Sequence, residues 1–252
     1  ELLVVNTCAF IEAAREESIE AVLALADHKS EGARLVVTGC LAERHGAELA
    51  EAMEEIDLVA GFGASLTEVS PTRVVLRTKS DTRAEASLLE LPRTQPAGPW
   101  AYVKVAEGCD RRCGFCAIPS FRGDQRSRTN ESVLHEVDQL VASGTKEIVL
   151  IAQDLASWGL DRRAEGDALE VLDLGAEGPR QPLVRLVEEV ATRAERVRLL
   201  YLYPSGLTES LIDAILATGL PYFDLSLQHA SAPHLRRMRR WGNAERFLER
   251  IA

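Results

Sequence analysis

Three cysteines fall in one short run, Cys109-Asp110-Arg111-Arg112-Cys113-Gly114-Phe115-Cys116. Thiolates are soft ligands, and three of them at this C-x3-C-x2-C spacing can hold three irons of a cubane iron–sulfur cluster. A cluster that serves only structure or electron transfer takes a fourth thiolate. This stretch has none, so the fourth iron would be open to a small molecule. Phe115, just before the third cysteine, is placed to keep water off such a cluster. Two other chemistries use the same residue type. Structural zinc takes four Cys or His ligands, commonly as two close pairs, and the nearest histidine, His135, lies nineteen residues beyond Cys116. A redox pair of Cys113 and Cys116 leaves Cys109 without a role.

The elements around this run must hold it in place. From residue 100 the pattern alternates strand and helix: strands at 102–105, 147–151, 197–202 and 222–227, and helices at 130–142, 183–194, 207–217 and from 233 onward. Thr129 or Asn130 is the N-cap of the first of these helices. The polar stretch 159–181 reads as a long loop. Four βα units of this kind form part of a (β/α) barrel, and the cysteine run follows its first strand at the carboxyl edge, where such barrels carry their chemistry. Gln153 and Asp154, Tyr201 and Tyr203-Pro204, and Gln228 and His229 end the other strands at the same edge. Each is either a ligand contact or a satisfied strand-end residue. Arg122 and Arg126 can meet a carboxylate bidentately or pair with Asp124. Arg236, Arg237, Arg239, Arg240 and Trp241 form a basic run that reads first as a solvated helix face.

Residues 1–70 repeat the alternation, with strands at 2–5, 35–37 and 57–60 and helices at 11–26 and 41–53. Units of this size predict a doubly wound parallel sheet. Cys8 follows the first strand and Cys40 the second. Adjacent strands of such a sheet bring their carboxyl ends to one edge, so the two thiols can converge; alternatively each is a small buried hydrophobe. Segments 74–76 and 87–91 can pair as a hairpin around Lys79-Ser80-Asp81, and Pro92, Pro96, Gly98 and Pro99 then break regular structure. The division expected is 1–72 for the first domain, 73–98 for a linker or hairpin and 99–252 for the barrel domain.

Charge is uneven. Residues 1–70 carry 14 acidic and 4 basic side chains, a poor surface for a phosphate backbone, which disfavours direct nucleic-acid contact by that half. No apolar run approaches the roughly 18 residues of a membrane span. The start at Glu1 has no basic leader. Five cysteines, partly clustered, suit a reducing cytoplasm rather than a disulfide scaffold. A first residue other than Met and an end inside a helical stretch, 243–251, lead us to expect a fragment of a longer protein.

The cysteine run resembles the signature of the radical S-adenosylmethionine (SAM) enzymes. The whole chain, a doubly wound domain with strand-end cysteines followed by C-x3-C-x2-C, resembles the methylthiotransferases among them. Four stretches resemble the branch that modifies a ribosomal protein rather than the branch that modifies a tRNA adenosine: Asn6-Thr7-Cys8-Ala9-Phe10-Ile11 with Glu17-Ser18, Ile118-Pro119-Ser120-Phe121-Arg122-Gly123, Ala152-Gln153-Asp154 and Leu227-Gln228-His229-Ala230-Ser231.

That resemblance implies two 4Fe–4S clusters and SAM as cofactors. Cys109, Cys113 and Cys116 would ligate the cluster whose open iron SAM chelates. Cys8 and Cys40 match the second and third of three ligands of an auxiliary cluster; the first lies in an opening strand and turn that this chain lacks. Gln153, Asp154, Gln228, His229 and Arg122 would contact SAM or substrate. The chemistry implied is reductive cleavage of SAM by a strongly reducing cluster, hydrogen abstraction from the β-carbon of an aspartate in a small-subunit ribosomal protein, and delivery of a methylated sulfur to that carbon. A second SAM supplies the methyl. Partners implied are that ribosomal protein, an electron donor of flavodoxin or ferredoxin type and a sulfur donor. The resemblance also implies a six-unit barrel and a C-terminal TRAM domain, of which this chain has four units and no TRAM domain. The tRNA branch is the nearest rival, and a non-catalytic iron–sulfur module the more distant one.

Overall fold

The computed structural model describes residues 1–62, 64–67, 72–76, 98–164, 174–175, 178–179 and 181–251. The chain divides into two compact units, Glu1–Leu88 and Leu89–Ala252. Among the described residues no helix is long and apolar enough to cross a membrane.

The first unit runs β1 (Leu2–Thr7), α1 (Glu12–Asp27), β2 (Arg34–Gly39), α2 (Cys40–Ala52), β3 (Leu58–Ala60) and β4 (Val74–Val75). The strands lie in the order β1-β2-β3-β4, all parallel. Leu35, Val36 and Val37 are all fully buried, which is why this strand is a continuous apolar run and not an alternating one. On one face Val5, Leu35, Val37 and Val59 cluster with Val22 of α1 and Leu41 and Leu49 of α2. On the other, Val36, Leu58 and Ala60 pack with Ala64, Leu66 and Val75. Arg73 closes the end of α2, donating to the carbonyls of Ala50 and Met53, both at 2.9 Å, and so satisfies acceptors that a helix C-terminus leaves open. Val74, read from sequence as one arm of a hairpin, pairs in parallel with Val59 and extends this sheet. The other arm, 87–91, and the turn at 79–81 lie outside the described residues.

The second unit contains β5 (Trp100–Lys104), β6 (Ala106–Glu107), α3 (Ile118–Arg122), β7 (Arg126–Ser127), α4 (Asn130–Ala142), β8 (Glu147–Ile151), α5 (Leu160–Ala164), β9 (Leu174–Gly175), β10 (Gly178–Pro179), α6 (Pro182–Ala191), β11 (Arg196–Leu199), α7 (Glu209–Ala217), α8 (Ala232–Arg237) and α9 (Ala244–Ile251). Short 3-10 turns follow β8 at Leu155–Ser157 and β11 at Pro204–Gly206. β9 and β10, with α5, occupy part of what the sequence suggested was one long loop. The sheet order is β11-β8-β5, parallel, as βα alternation requires. Val103, Ile148, Leu150, Val197 and Leu199 of the strands share one core with Val133 and Val137 of α4 and Leu183, Leu186 and Val187 of α6. Thr129 caps α4, its side chain accepting the Ser132 N–H at 3.0 Å. The fold is thus the expected class, a parallel-sheet α/β domain followed by parallel βα units of a partial barrel.

One expected element does not form as read. The stretch 222–227 makes a single parallel bridge, Leu202 to Leu225, and no ladder. Its backbone turns back on itself, with Tyr222 N–H donating to Leu220 O and Leu227 N–H to Leu225 O. Positive φ at Tyr201 (66°), next to Leu202, and at Gln228 (68°), three residues past Leu225, takes the chain out of the extended region on either side of the bridge. The same turn at Tyr201 ends β11 at Leu199 and not at 202.

Candidate metal centre

The cysteine run is pinched at its base. Ala106 pairs with Ser127 and Glu107 with Arg126, so residues 108–125 leave and re-enter the barrel at one place. Gly108 sits at φ 81°, and a Cβ there would lie 2.1 Å from the Asp124 carbonyl oxygen; only glycine lets the two ends approach. Cys109 N–H donates to Gly123 O at 3.1 Å and Gln125 N–H to the Asp110 carboxylate at 2.9 Å. Inside the loop, Arg122 of α3 donates to Glu107 at 2.6 Å, both side chains largely buried. This is a loop pair, but its partner is Glu107; Asp124 pairs instead with Arg112, at 3.3 Å on the surface.

Cys109 is buried, while Cys113 and Cys116 are half-buried. Burial pushes the Cys109 thiol up to about 11, helped by the Asp154 carboxylate and the Cys116 and Cys113 thiols and opposed by the Arg111 N–H. That N–H donates to the Cys109 sulfur at 3.4 Å. The Arg240 guanidinium reaches the Cys113 sulfur at 3.5 Å. Among the described residues no group of three or more Cys, His, Asp or Glu closes around a single metal ion. A cubane does not ask for that; it seats on thiols spread over a cup, one to each of three irons. Three thiols on one loop, with an N–H and a guanidinium directed at two of the sulfurs, fit an anionic cluster of this kind.

The strand-end residues fall as follows. Asp154 is buried (3% exposed); its Oδ2 accepts from Arg111 Nε at 2.6 Å and Ser157 Oγ at 2.7 Å. Among the described residues its Oδ1 and the neighbouring Gln153 Oε1 are buried without a partner, and such atoms mark places where a ligand can donate. Gln228 and His229 are exposed, and the His229 and His234 rings stack at 4.4 Å. Tyr201 is exposed, whereas Tyr203 is buried, with the guanidinium carbons of Arg111 and Arg240 at 4.0 and 4.1 Å from its ring centre. Phe115 is 52% exposed. The sequence reading missed Glu107, Arg111 and Arg240. Arg111 sits within the cysteine run, a signal in principle; nothing in the spacing marks Arg240.

In the first unit, Thr7 and Gly39 are register partners at the carboxyl ends of β1 and β2, and Cys8 and Cys40 are the residues that follow them. Gly39 has φ 98°, and a Cβ there would lie 2.4 Å from Thr7 O, so the approach that brings the two cysteine positions side by side requires glycine. Cys8 is exposed and Cys40 half-buried. Cys8 N–H is held by Ser18 Oγ at 3.0 Å, which ties it to α1.

Comparison with known proteins follows the same division. Residues 103–252 match the model of the radical SAM superfamily, and residues 1–61 that of the uncharacterized protein family UPF0004. The chain is 42% identical over 98% of its length to "Ribosomal protein uS12 methylthiotransferase RimO" of Sorangium cellulosum and 40% identical over 98% to its namesake in Kineococcus radiotolerans. It spans about half the length of these curated relatives, 51% and 56%. Two solved structures share its fold. The cobalamin-dependent SAM radical enzyme OxsB has a TM-score of 0.56 at 13% identity, over 99% of this chain and 38% of that one. The radical SAM methyltransferase TsrM of Kitasatospora setae has a TM-score of 0.52 at 14% identity, over 99% and 53%. With more than half of its residues matched by that model and its cysteine loop at the carboxyl edge of the barrel, the chain belongs to the radical SAM superfamily, and over nearly its whole length it is similar to the RimO methylthiotransferases.

Proposed function

We propose that the intact protein is a radical SAM methylthiotransferase that places a methylthio group on the β-carbon of an aspartate of ribosomal protein uS12. The observation that carries this reading is the joint one: a pinched loop with three thiols at the barrel edge, in a chain similar to RimO proteins across both units. Cys109, Cys113 and Cys116 are the proposed ligands of a 4Fe–4S cluster, with one iron left for SAM. When bound and reduced by the external donor, the cluster would supply the electron that breaks a carbon–sulfur bond of SAM homolytically. The chain's own residues orient and exclude. Arg111 and Arg240 steady the sulfurs, while Gln153 and Asp154 offer unpartnered acceptors to the SAM amino or hydroxyl groups. Gln228 and His229 stand exposed just past the bridged stretch 222–227 and are proposed contacts for SAM or substrate. Arg122, engaged with Glu107, acts on the loop. Cys8 and Cys40, side by side at the ends of β1 and β2, are proposed ligands of the auxiliary cluster that holds the sulfur. An external electron donor of flavodoxin or ferredoxin type and a sulfur donor complete the cycle, in the cytoplasm where ribosomes are found.

Two measurements test this. Anaerobically reconstituted intact protein is expected to hold about eight irons per chain, falling to about four in either a Cys109→Ala/Cys113→Ala or a Cys8→Ala/Cys40→Ala variant. In the source cell, deletion of the gene is expected to remove one methylthio group from uS12, seen in intact-protein mass, and to leave methylthio-adenosine in digested tRNA unchanged. Loss from tRNA instead would move the protein to the tRNA-modifying branch.

A further inference from the structure

We infer that Arg240 is a positioning residue for the metal centre: its guanidinium, stacked on Tyr203, donates to the Cys113 sulfur and makes the bound cluster easier to reduce. The inference rests on the proposed reading of Cys109, Cys113 and Cys116 as cluster ligands.

The construction starts in the backbone. Past the end of α8, Arg239 takes φ 53° and Arg240 N–H reaches back to Leu235 O at 2.8 Å. This is a Schellman cap, whose left-handed position usually takes glycine. An arginine there is strained, and strain of this kind persists where surrounding contacts over-determine it. Those contacts lead to the cysteine loop. The Met238 carbonyl accepts the Gly114 N–H at 2.8 Å, in the middle of the cysteine run. Arg240 Nη1 lies 3.5 Å from Cys113 Sγ, and its Nη2 donates to Ser226 O. Trp241 N–H donates to the Tyr203 hydroxyl at 3.1 Å.

Tyr203 is the platform. Arg240 and Arg111 stand 4.1 and 4.0 Å from the centre of its ring. Both guanidiniums therefore rest on one aromatic ring, whose π electrons attract a cation. Arg111 is then neutralised by Asp154 at 2.6 Å. The result is one continuous path, Asp154–Arg111–Tyr203–Arg240–Cys113, that joins the end of β8, the loop, the end of β11 and the turn after α8. A cluster gains negative charge when it takes an electron, and a cation donating to one of its sulfurs favours that reduced form. Arginine suits the position because it is planar, always charged and stacks.

The test uses the intact reconstituted protein and the midpoint potential of the cluster on Cys109, Cys113 and Cys116, read by EPR-monitored titration without SAM, with iron content and melting temperature alongside; each substitution is also made with Cys8→Ala/Cys40→Ala, so that one cluster gives the signal. Arg240→Met is expected to lower the potential by about 59 mV, a tenfold loss in the reduction equilibrium. Arg240→Lys keeps charge without the fork and is expected to fall between the two. Tyr203→Leu removes the platform and is expected to move the potential in the same direction as Arg240→Met. Arg239→Gly relieves the cap and is expected to raise the melting temperature with the potential unmoved. If Arg240→Met keeps iron and the wild-type potential, even at a lower melting temperature, the residue serves only the fold and the inference is overturned while the cluster reading stands. If Arg240→Met loses iron altogether, Arg240→Lys and Tyr203→Leu decide by the same criterion. If the wild-type protein binds no iron through its cysteines, the proposed function fails first and this inference with it.

Discussion

At the scale of single residues, Asp154 shows how a buried charge is accommodated at the barrel edge. Among the described residues only one of its oxygens has partners, and that one takes both Arg111 and Ser157. Removing the carboxylate strips Arg111 of its counter-charge and Ser157 of its acceptor. Hydrogen bonds to charged groups contribute about 1.5–3 kcal/mol each, and Arg111 is a third exposed, so its share is screened. Asp154→Ala is therefore expected to destabilise the second unit by roughly 2 kcal/mol, read as a shift of the urea midpoint at unchanged slope. An unaltered midpoint would mean that the Tyr203 ring and Ser157 Oγ hold Arg111 without the carboxylate.

Elements set where these residues stand. The β6–β7 ladder pinches the cysteine loop, and the β1–β2 register sets Cys8 beside Cys40. The second arrangement depends on Gly39, whose φ is 98° and whose missing Cβ leaves room for Thr7 O. Gly39→Ala adds both a strained backbone and a backbone clash, and is expected to cost roughly 2–3 kcal/mol in the first unit, with loss of any iron held by Cys8 and Cys40. Thr129→Ala is the milder comparison. It removes the N-cap of α4, which follows the cysteine loop in the chain, and is expected to cost about 1 kcal/mol. If Gly39→Ala were as mild as Thr129→Ala in denaturant melts, the close approach of the ends of β1 and β2 would not be what the first unit depends on.

Across the whole molecule, the acid limb of stability has identifiable sources in both units. Burial raises the Asp57 carboxyl, but a hydrogen bond from Lys29, another from Leu35 N–H and the charges of Lys29 and Arg34 outweigh it and hold the group below its ordinary 3.8. Burial likewise opposes Glu189, and hydrogen bonds from Arg185 and Asn130, with the charges of Arg185 and Arg193, hold it below 4.5. A carboxyl depressed in the folded state contributes stability that is full above its unfolded pKa and disappears as pH falls through its folded one. The protein is thus expected to be insensitive to pH through these groups at neutrality and to lose stability below about pH 4. Thermal melts from about pH 6 to pH 2 should show Asp57→Asn starting lower and falling less steeply than wild type; parallel curves would reject the assignment.

The chain's own order of residues determined a good deal. C-x3-C-x2-C spacing points to the proposed cluster chemistry without a structure, because thiols within eight residues need only a loop to bring them together. The βα alternation and the apolar runs at 35–37 and 147–151 are local patterns, and the elements form close to where those patterns place them. Cys8 and Cys40 were legible as strand-end neighbours because parallel pairing sets that edge. Tertiary structure alone decided the rest. The segment 222–227 has the composition of a strand, but tight backbone turns at Leu220–Tyr222 and Leu225–Leu227, with positive φ at Tyr201 and Gln228, leave it one bridge. Arg240 reads as one more charge in a basic run, yet it meets a sulfur 127 residues earlier in the chain. Composition and periodicity report only on neighbours along the helix or strand; a contact between residues so far apart exists only once the barrel strands have set the distances between their ends.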